Sequence, residues 1–176
     1  KETAWIIENA EAKAVFVSES AAAELIPLIE RLPRPVAGLI VESRDFAVLR
    51  TSEPMAAPVA RARHDLAWLF YTSGTTGKPK GVMISNANLH AMAFSYFVDV
   101  DEVRTADATL YAAPMSHGAG IYNFMHVMRG ARHVVPESSG FEPDEALALA
   151  RSLRDISMFA APTMVRRLVE RAKKEG

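Results

Sequence analysis

Two apolar runs, Leu66–Phe70 and Val82–Ile84, bracket the segment Tyr71 to Gly81, which reads YTSGTTGKPKG. A stretch so rich in glycine, hydroxyls and lysine does not extend either run into a core. The chain must instead carry it as a loop leaving one strand and entering the next. Glycine lets main chain come close to an anion, hydroxyl and amide hydrogens donate to its oxygens, and lysine adds a cation. Gly/Ser/Thr clusters also occur as ordinary solvated loops. The strand candidates on both sides favour a cradle for nucleotide phosphates.

Spacing removes the common alternatives. A Walker loop needs a glycine five places before its Gly-Lys pair and a hydroxyl after the lysine; Thr72 and Pro79 stand there. The dinucleotide pattern G-x-G-x-x-G fails because Gly74 and Gly77 are preceded by Thr72 in place of the first glycine. Tyr71 to Gly81 does resemble the signature of the adenylate-forming enzymes, which include acyl-CoA synthetases, luciferases and nonribosomal-peptide adenylation domains. The resemblance implies that Thr72, Ser73, Gly74, Thr75, Thr76 and Gly77 cradle the triphosphate of ATP. It gives Lys80 the phosphate contact and the catalytic charge. Lys78, variable in that family, reads as a solvated side chain.

A second stretch, Leu110 to Gly120 (LYAAPMSHGAG), resembles the next block of the same family, in which a strand ends at proline and a histidine precedes a helix. The resemblance puts His117 on the border of the acyl pocket, with Gly118, Ala119 and Gly120 leaving room for substrate. A lone histidine more often fixes a loop by hydrogen bonds; the surrounding block tips the reading to pocket lining. No arginine cluster lies within His117 to Asn123, so a second carboxylate on the substrate is disfavoured and a fatty or aryl acid is expected.

The remaining chain alternates strand and helix signals, as an α/β fold requires: a layered β-sheet with flanking helices. Strands are expected at Ala14–Val17, Val36–Val41, Leu66–Tyr71, Val82–Ser85, Thr109–Ala113, Arg132–Val135 and Ser157–Ala161. Helical stripes comprise Ala22, Leu25, Ile26 and Ile29, with Pro27 as a kink or a start, and Leu89, Met92, Ala93, Tyr96 and Phe97 behind a Ser85 cap. Ala146, Leu149, Ala150 and Leu153 form another stripe behind Pro143. In the last helix Thr163 is the expected cap and Val165, Leu168, Val169 and Ala172 the inward face. Arg166, Arg167 and Arg171 read as a solvated face, and Arg50 to Arg63 as an exposed crossover.

Composition limits partners. The 176 residues are 49% hydrophobic with net charge −1, enough for one domain core and too neutral to attract nucleic acid or an anionic membrane. No apolar run approaches the roughly 20 residues of a membrane span. Cysteine is absent, excluding a disulfide scaffold and permitting a cytoplasmic location. His64, His90, His126 and His133 lack metal-ligand spacing, so no protein-held metal is expected.

The resemblance covers essentially the whole chain, 1–176, yet corresponds to an internal part of the family's large N-terminal domain. Its adenine, ribose and hinge motifs and its C-terminal domain are not found. The chain is therefore expected to be a partial adenylation domain with little turnover alone, prone to self-association. ATP with Mg²⁺, a carboxylic acid and coenzyme A are the implied ligands. Loading of a carrier protein and a non-enzymatic nucleotide-binding module are the rival readings.

Overall fold

Alanines 21 and 22 with Leu25, Ile26 and Ile29 recur three and four residues apart, and there the chain forms α2 (Glu19–Glu30), laying that stripe against the first strands. The computed structural model describes residues 2–73, 77–138, 140–153 and 155–175, which divide into two units, 1–89 and 90–176. In the first unit α1 (Glu2–Asn9) leads to β1 (Ala14–Val17), and α2 crosses to β2 (Ala37–Ile40), parallel to β1. Ile7, Val17 and Ile29 are buried at the centre. Each such side chain contributes about 1.5–3 kcal/mol of transfer free energy.

Pro27 lies inside α2 and marks neither of its ends. The carbonyl it leaves without an amide belongs to Ala23, on the exposed face, where water can serve it. Beyond β2, a short α3 (Arg44–Leu49), which the sequence reading did not anticipate, is capped by Ser43, whose Oγ accepts the Phe46 amide at 3.1 Å. Residues 50–64 are exposed throughout, as the crossover reading expected. They lead into β3 (Leu66–Thr72), which pairs antiparallel with β4 (Lys80–Ser85).

Ser85 then starts α4 (Asn86–Asp99), its Oγ accepting the Asn88 amide at 3.3 Å, and this helix runs into the second unit. There β5 (Ala108–Leu110) is central and buried along its length, with β6 (Arg132–Val134) and β7 (Ile156–Met158) parallel on either side. Such three-residue pairings explain why the strands are shorter than expected: β5 stops at Leu110, and β7 covers 156–158 in place of 157–161. Short helices α5 (Gly118–Ile121) and α6 (Asn123–Arg129) follow β5, and α6 ends at Gly130, whose φ of 65° is the left-handed stop that glycine permits.

Ala93 and Tyr96 of α4 pack with Val103, Met125 and Ala131, with Met92 and Phe97 against them, as the stripe predicted. A second cluster joins Leu110, Ala112 and Ala146 with Leu149 of α7 (Pro143–Leu153) and Met164 and Leu168 of α8 (Pro162–Glu175). Two expectations for α8 are corrected. Pro162 is its first residue, so Thr163 sits inside the first turn and does not cap it. Its inner face is Met164 and Leu168, while Val165, Val169 and Ala172 are exposed. Tilting the helix this way lets Arg171 reach Asp144 at 2.5 Å and Arg167 lie over the Phe141 ring at 5.2 Å, so those arginines hold α8 to the α7 region. Among the described residues no helix is long and apolar enough to cross a membrane.

Candidate functional site: a hairpin loop and a ring-lined cleft

In the first unit β3 and β4 pair antiparallel, so the glycine-rich segment joins two neighbouring strands of one sheet. A Walker loop would lead from strand to helix, and the topology independently removes that alternative. Thr72 and Lys80 are direct partners across the hairpin, and residues opposite one another project to the same face. A hydroxyl and an ammonium therefore stand side by side at the loop's mouth, both exposed, with Ser73 next to them. Gly74, Thr75 and Thr76 lie outside the described residues. Gly77 has φ of 84°, and an added Cβ there would meet nothing within 4 Å. The glycine is required by conformation, not by crowding.

Both feet of the loop are tied to α1. The Tyr71 ring meets Trp5 edge-on at 6.2 Å, its hydroxyl donates to Asn9 Oδ1 at 2.7 Å, and it lies across Gly81, where a Cβ would come within 3.1 Å of Cζ. On the other foot Lys78 Nζ sits 5.9 Å from the Trp5 ring centroid. Lys78 is exposed, as the solvated reading expected, and also lies over an aromatic face. Lys80 is left as the cation beside Thr72.

The second unit holds the other predicted group. His117 precedes α5 at an extended φ of −115°, its amide donating to the Pro114 carbonyl at 3.0 Å and its Nδ1 lying 3.1 Å from Ser116 Oγ; the side chain is exposed. Ala119 and Gly120 are buried. A Cβ on Gly120 would fall 1.9 Å from the Met115 carbonyl oxygen, so its smallness serves the tight turn. Gly118 is small for another reason: a Cβ there would lie 3.1 Å from Cζ of Phe159.

Phe159 leads to groups the sequence reading did not select. It forms the rim of a cleft of about 220 Å³ together with Tyr96 and Tyr122, and Thr109, His126 and Ser157 also line it. The rings follow one another, Tyr96 to Tyr122 at 5.6 Å and Tyr122 to Phe159 at 5.5 Å. Burial, then Asp101 and Tyr122, raise the Tyr96 pKa above that of an ordinary phenol, so it remains a protonated donor at neutral pH. His126, 2% exposed, has Nδ1 3.0 Å from the Tyr122 carbonyl and Nε2 2.8 Å from Ser157 Oγ. A carbonyl only accepts, so Nδ1 carries the hydrogen; in the neutral ring Nε2 then accepts from the Ser157 hydroxyl. The signal for these residues was present but weak: a threonine inside the Ala-Thr-Leu strand and a serine inside Ile-Ser-Met.

A larger neighbouring cleft, about 360 Å³, is lined by Asp101, Glu102, Asp107 and Asp155 against the single cation of Arg104. Its negative field repels carboxylates and nucleotides, so size does not make it the site. Among the described residues no three His, Cys, Asp or Glu side chains converge to hold a metal ion.

Known proteins share this fold. The family described as AMP-binding enzyme matches residues 1–176. Feruloyl-CoA synthase of an Amycolatopsis species is 32% identical over 114 residues, 64% of this chain and 22% of that protein. Indigoidine synthase of Streptomyces lavendulae is 28% identical over 172 residues, 96% of this chain and 13% of its own length. The ATP-bound crystal structure of MatB from Rhodopseudomonas palustris superposes with a TM-score of 0.76 at 28% identity, covering 95% of this chain and 33% of that one. The chain thus spans less than half the length of each of these relatives. A family match over every residue, on a fold shared with an ATP-bound structure, places the chain among the AMP-binding, adenylate-forming enzymes.

Proposed function

We propose that the protein carrying this chain is an ATP-dependent acid–thiol ligase that activates a fatty or aryl carboxylic acid and transfers its acyl group to coenzyme A in the cytoplasm. The carrying observation is the hairpin mouth, where Thr72 and Lys80 are cross-strand partners beside Ser73. One carboxylate oxygen attacks the α-phosphorus of ATP, the bond to pyrophosphate breaks, and an acyl-adenylate results. The coenzyme A thiol then attacks the acyl carbonyl and AMP leaves. In the first step, negative charge gathers on the departing β and γ phosphates. Lys80 and the hydroxyls of Thr72 and Ser73 meet it as donors already in place, without the reorientation that water would need. His117 and the Gly118–Gly120 segment are assigned to the acyl side. A relative named for a feruloyl-CoA product supports the aryl branch of this reading.

Transfer to a carrier-protein thiol is the second reading, supported by the likeness to indigoidine synthase along nearly the whole chain. Mass analysis of the thioester formed with each acceptor separates the two. For the adenylation step itself, Lys80→Ala in the protein expressed from its complete reading frame is expected to slow acid-dependent pyrophosphate release about a hundredfold, the usual cost of one such donor. Release at the wild-type rate removes the assignment of Lys80.

A further inference from the structure

Resting on the ligase reading, we infer that Trp5 of α1 is a positioning residue for adenylation, holding the feet of the phosphate loop so that Thr72 and Lys80 stand where pyrophosphate departs. Trp5 is half-buried, and its ring is met from both feet. Tyr71 meets it edge-on at 6.2 Å on the β3 side, and the Lys78 ammonium lies 5.9 Å from its centroid on the β4 side. Asn9 follows four residues later, on the same face of α1, and accepts the Tyr71 hydroxyl at 2.7 Å. One helix face thus grips the tyrosine by its ring and by its hydroxyl.

Strand geometry decides what this grip is for. Successive residues of a strand point to opposite faces. Tyr71 turns toward α1, so Thr72, and Lys80 opposite it, turn away; α1 backs the loop and leaves both donors exposed. Gly81, opposite Tyr71, has no side chain to push the ring aside, and a Cβ there would stand 3.1 Å from Cζ. Fixing α1 itself is a separate task. Ile7 performs it, buried with Val17 and Ile29, and Trp5 is not among the described groups packed on that cluster. The β3–β4 pair is a two-stranded sheet, a form that is marginal without support from a neighbouring element. Donors speed a reaction most when they need no reorganisation as charge develops, and Trp5 supplies a support common to both feet.

The test uses the protein from the complete reading frame, with ATP and with cinnamate or decanoate as the acid. Trp5→Ala is expected to slow acid-dependent pyrophosphate release about tenfold and to change KM for the acid by less than about twofold, the acyl side being untouched. Trp5→Phe keeps a ring for Tyr71 and Lys78 and is expected to bring the rate back to within about threefold of wild type. Asn9→Ala, at an exposed position, is expected to cost about threefold and serves should the Trp5→Ala variant fail to fold. Action through the loop also predicts non-additivity. In a Lys80→Ala background, Trp5→Ala is expected to cost less than about a further twofold. A full further tenfold loss in that background, equal losses for Trp5→Ala and Trp5→Phe, or rates unchanged by Trp5→Ala or Asn9→Ala each overturn the inference. Hydrogen exchange at the two feet, followed by mass spectrometry with and without ATP, separates the two levels. Protection by ATP that weakens in Trp5→Ala, in a protein that neither acid drives to release pyrophosphate, sinks the ligase and keeps the positioning role. Pyrophosphate release at one rate from wild type and Trp5→Ala does the reverse.

Discussion

Gly77 shows what a single residue contributes to the phosphate loop. With φ of 84° it occupies the left-handed region, and open space surrounds the position where a Cβ would stand. Gly77→Ala therefore adds backbone strain and no clash, about 1–2 kcal/mol. Gly77→Asn costs less, since asparagine tolerates this region better. Adenylation by the alanine variant is expected to fall more than by the asparagine variant, measured as acid-dependent pyrophosphate exchange. Equal rates for both would mean that the loop does not depend on this conformation. The loop was legible in sequence because its chemistry is spelled out locally, in hydroxyls, glycines and lysine between apolar runs. Thr109 and Ser157 were not. A hydroxyl residue in a short apolar run is compatible with either strand face, and only the folded packing brings Thr109 and Ser157 into the lining of one cleft with Tyr96 and Tyr122. Lys78 is exposed, as expected, and its approach to the Trp5 ring was hidden for a similar reason, since Trp5 is far from it in sequence.

At the scale of elements, hydrophobic spacing located most helices and strands, and it failed where a charge contact set the roll of a helix. Leu168 of α8 faces inward as expected, but beside the Arg171–Asp144 and Arg167–Phe141 contacts its inner neighbour is Met164, and the valines expected with it lie outside. The junction of β5 and β6 carries a pH dependence that no periodicity reveals. Tyr111, just past β5, stacks on His133 of β6 at 5.7 Å, and its hydroxyl lies 2.7 Å from His133 Nδ1. Burial, then the neighbouring His126, hold the His133 pKa below its ordinary value. The unfolded chain therefore takes up the proton first. The contribution is complete above about pH 6.5, the unfolded value, and is lost as pH falls through that value toward the folded one, levelling off below it. Because part of the ring reaches water, the effect is small. The thermal midpoint is expected to decline across that acid window in the wild type, and His133→Gln is expected to flatten this part of the curve. An unchanged slope in the variant would assign the acid sensitivity to other groups.

For the molecule as a whole, burial is unevenly distributed, and this bears on how the chain behaves alone. Among the described residues three small sheets and the helices bury compact clusters around Ile7, Met125 and Leu110. Outside them, large apolar groups face solvent: Met83 on β4 is 72% exposed and Val98 on α4 is 82% exposed, with Val165 and Val169 on α8 nearly half exposed. Scattered single residues of this kind are normal on a protein surface. Successive ones on one element, such as Val82 and Met83 on a strand of a two-stranded sheet, add an apolar surface to an open edge. Net charge of −1 provides almost no repulsion between copies to oppose association. The 176-residue chain expressed by itself is therefore expected to self-associate as its concentration rises, with a weight-average sedimentation coefficient that climbs and falls back on dilution. Charging the exposed edge should distinguish specific sheet-edge contact from general stickiness. Met83→Lys places a cation on β4 at an exposed position and is expected to lower the association without lowering the thermal midpoint by more than about 0.5 kcal/mol equivalent, as for a surface substitution. A single sedimenting species at the monomer mass, unchanged up to high concentration in the wild-type chain, would show that these exposed groups are tolerated as they stand.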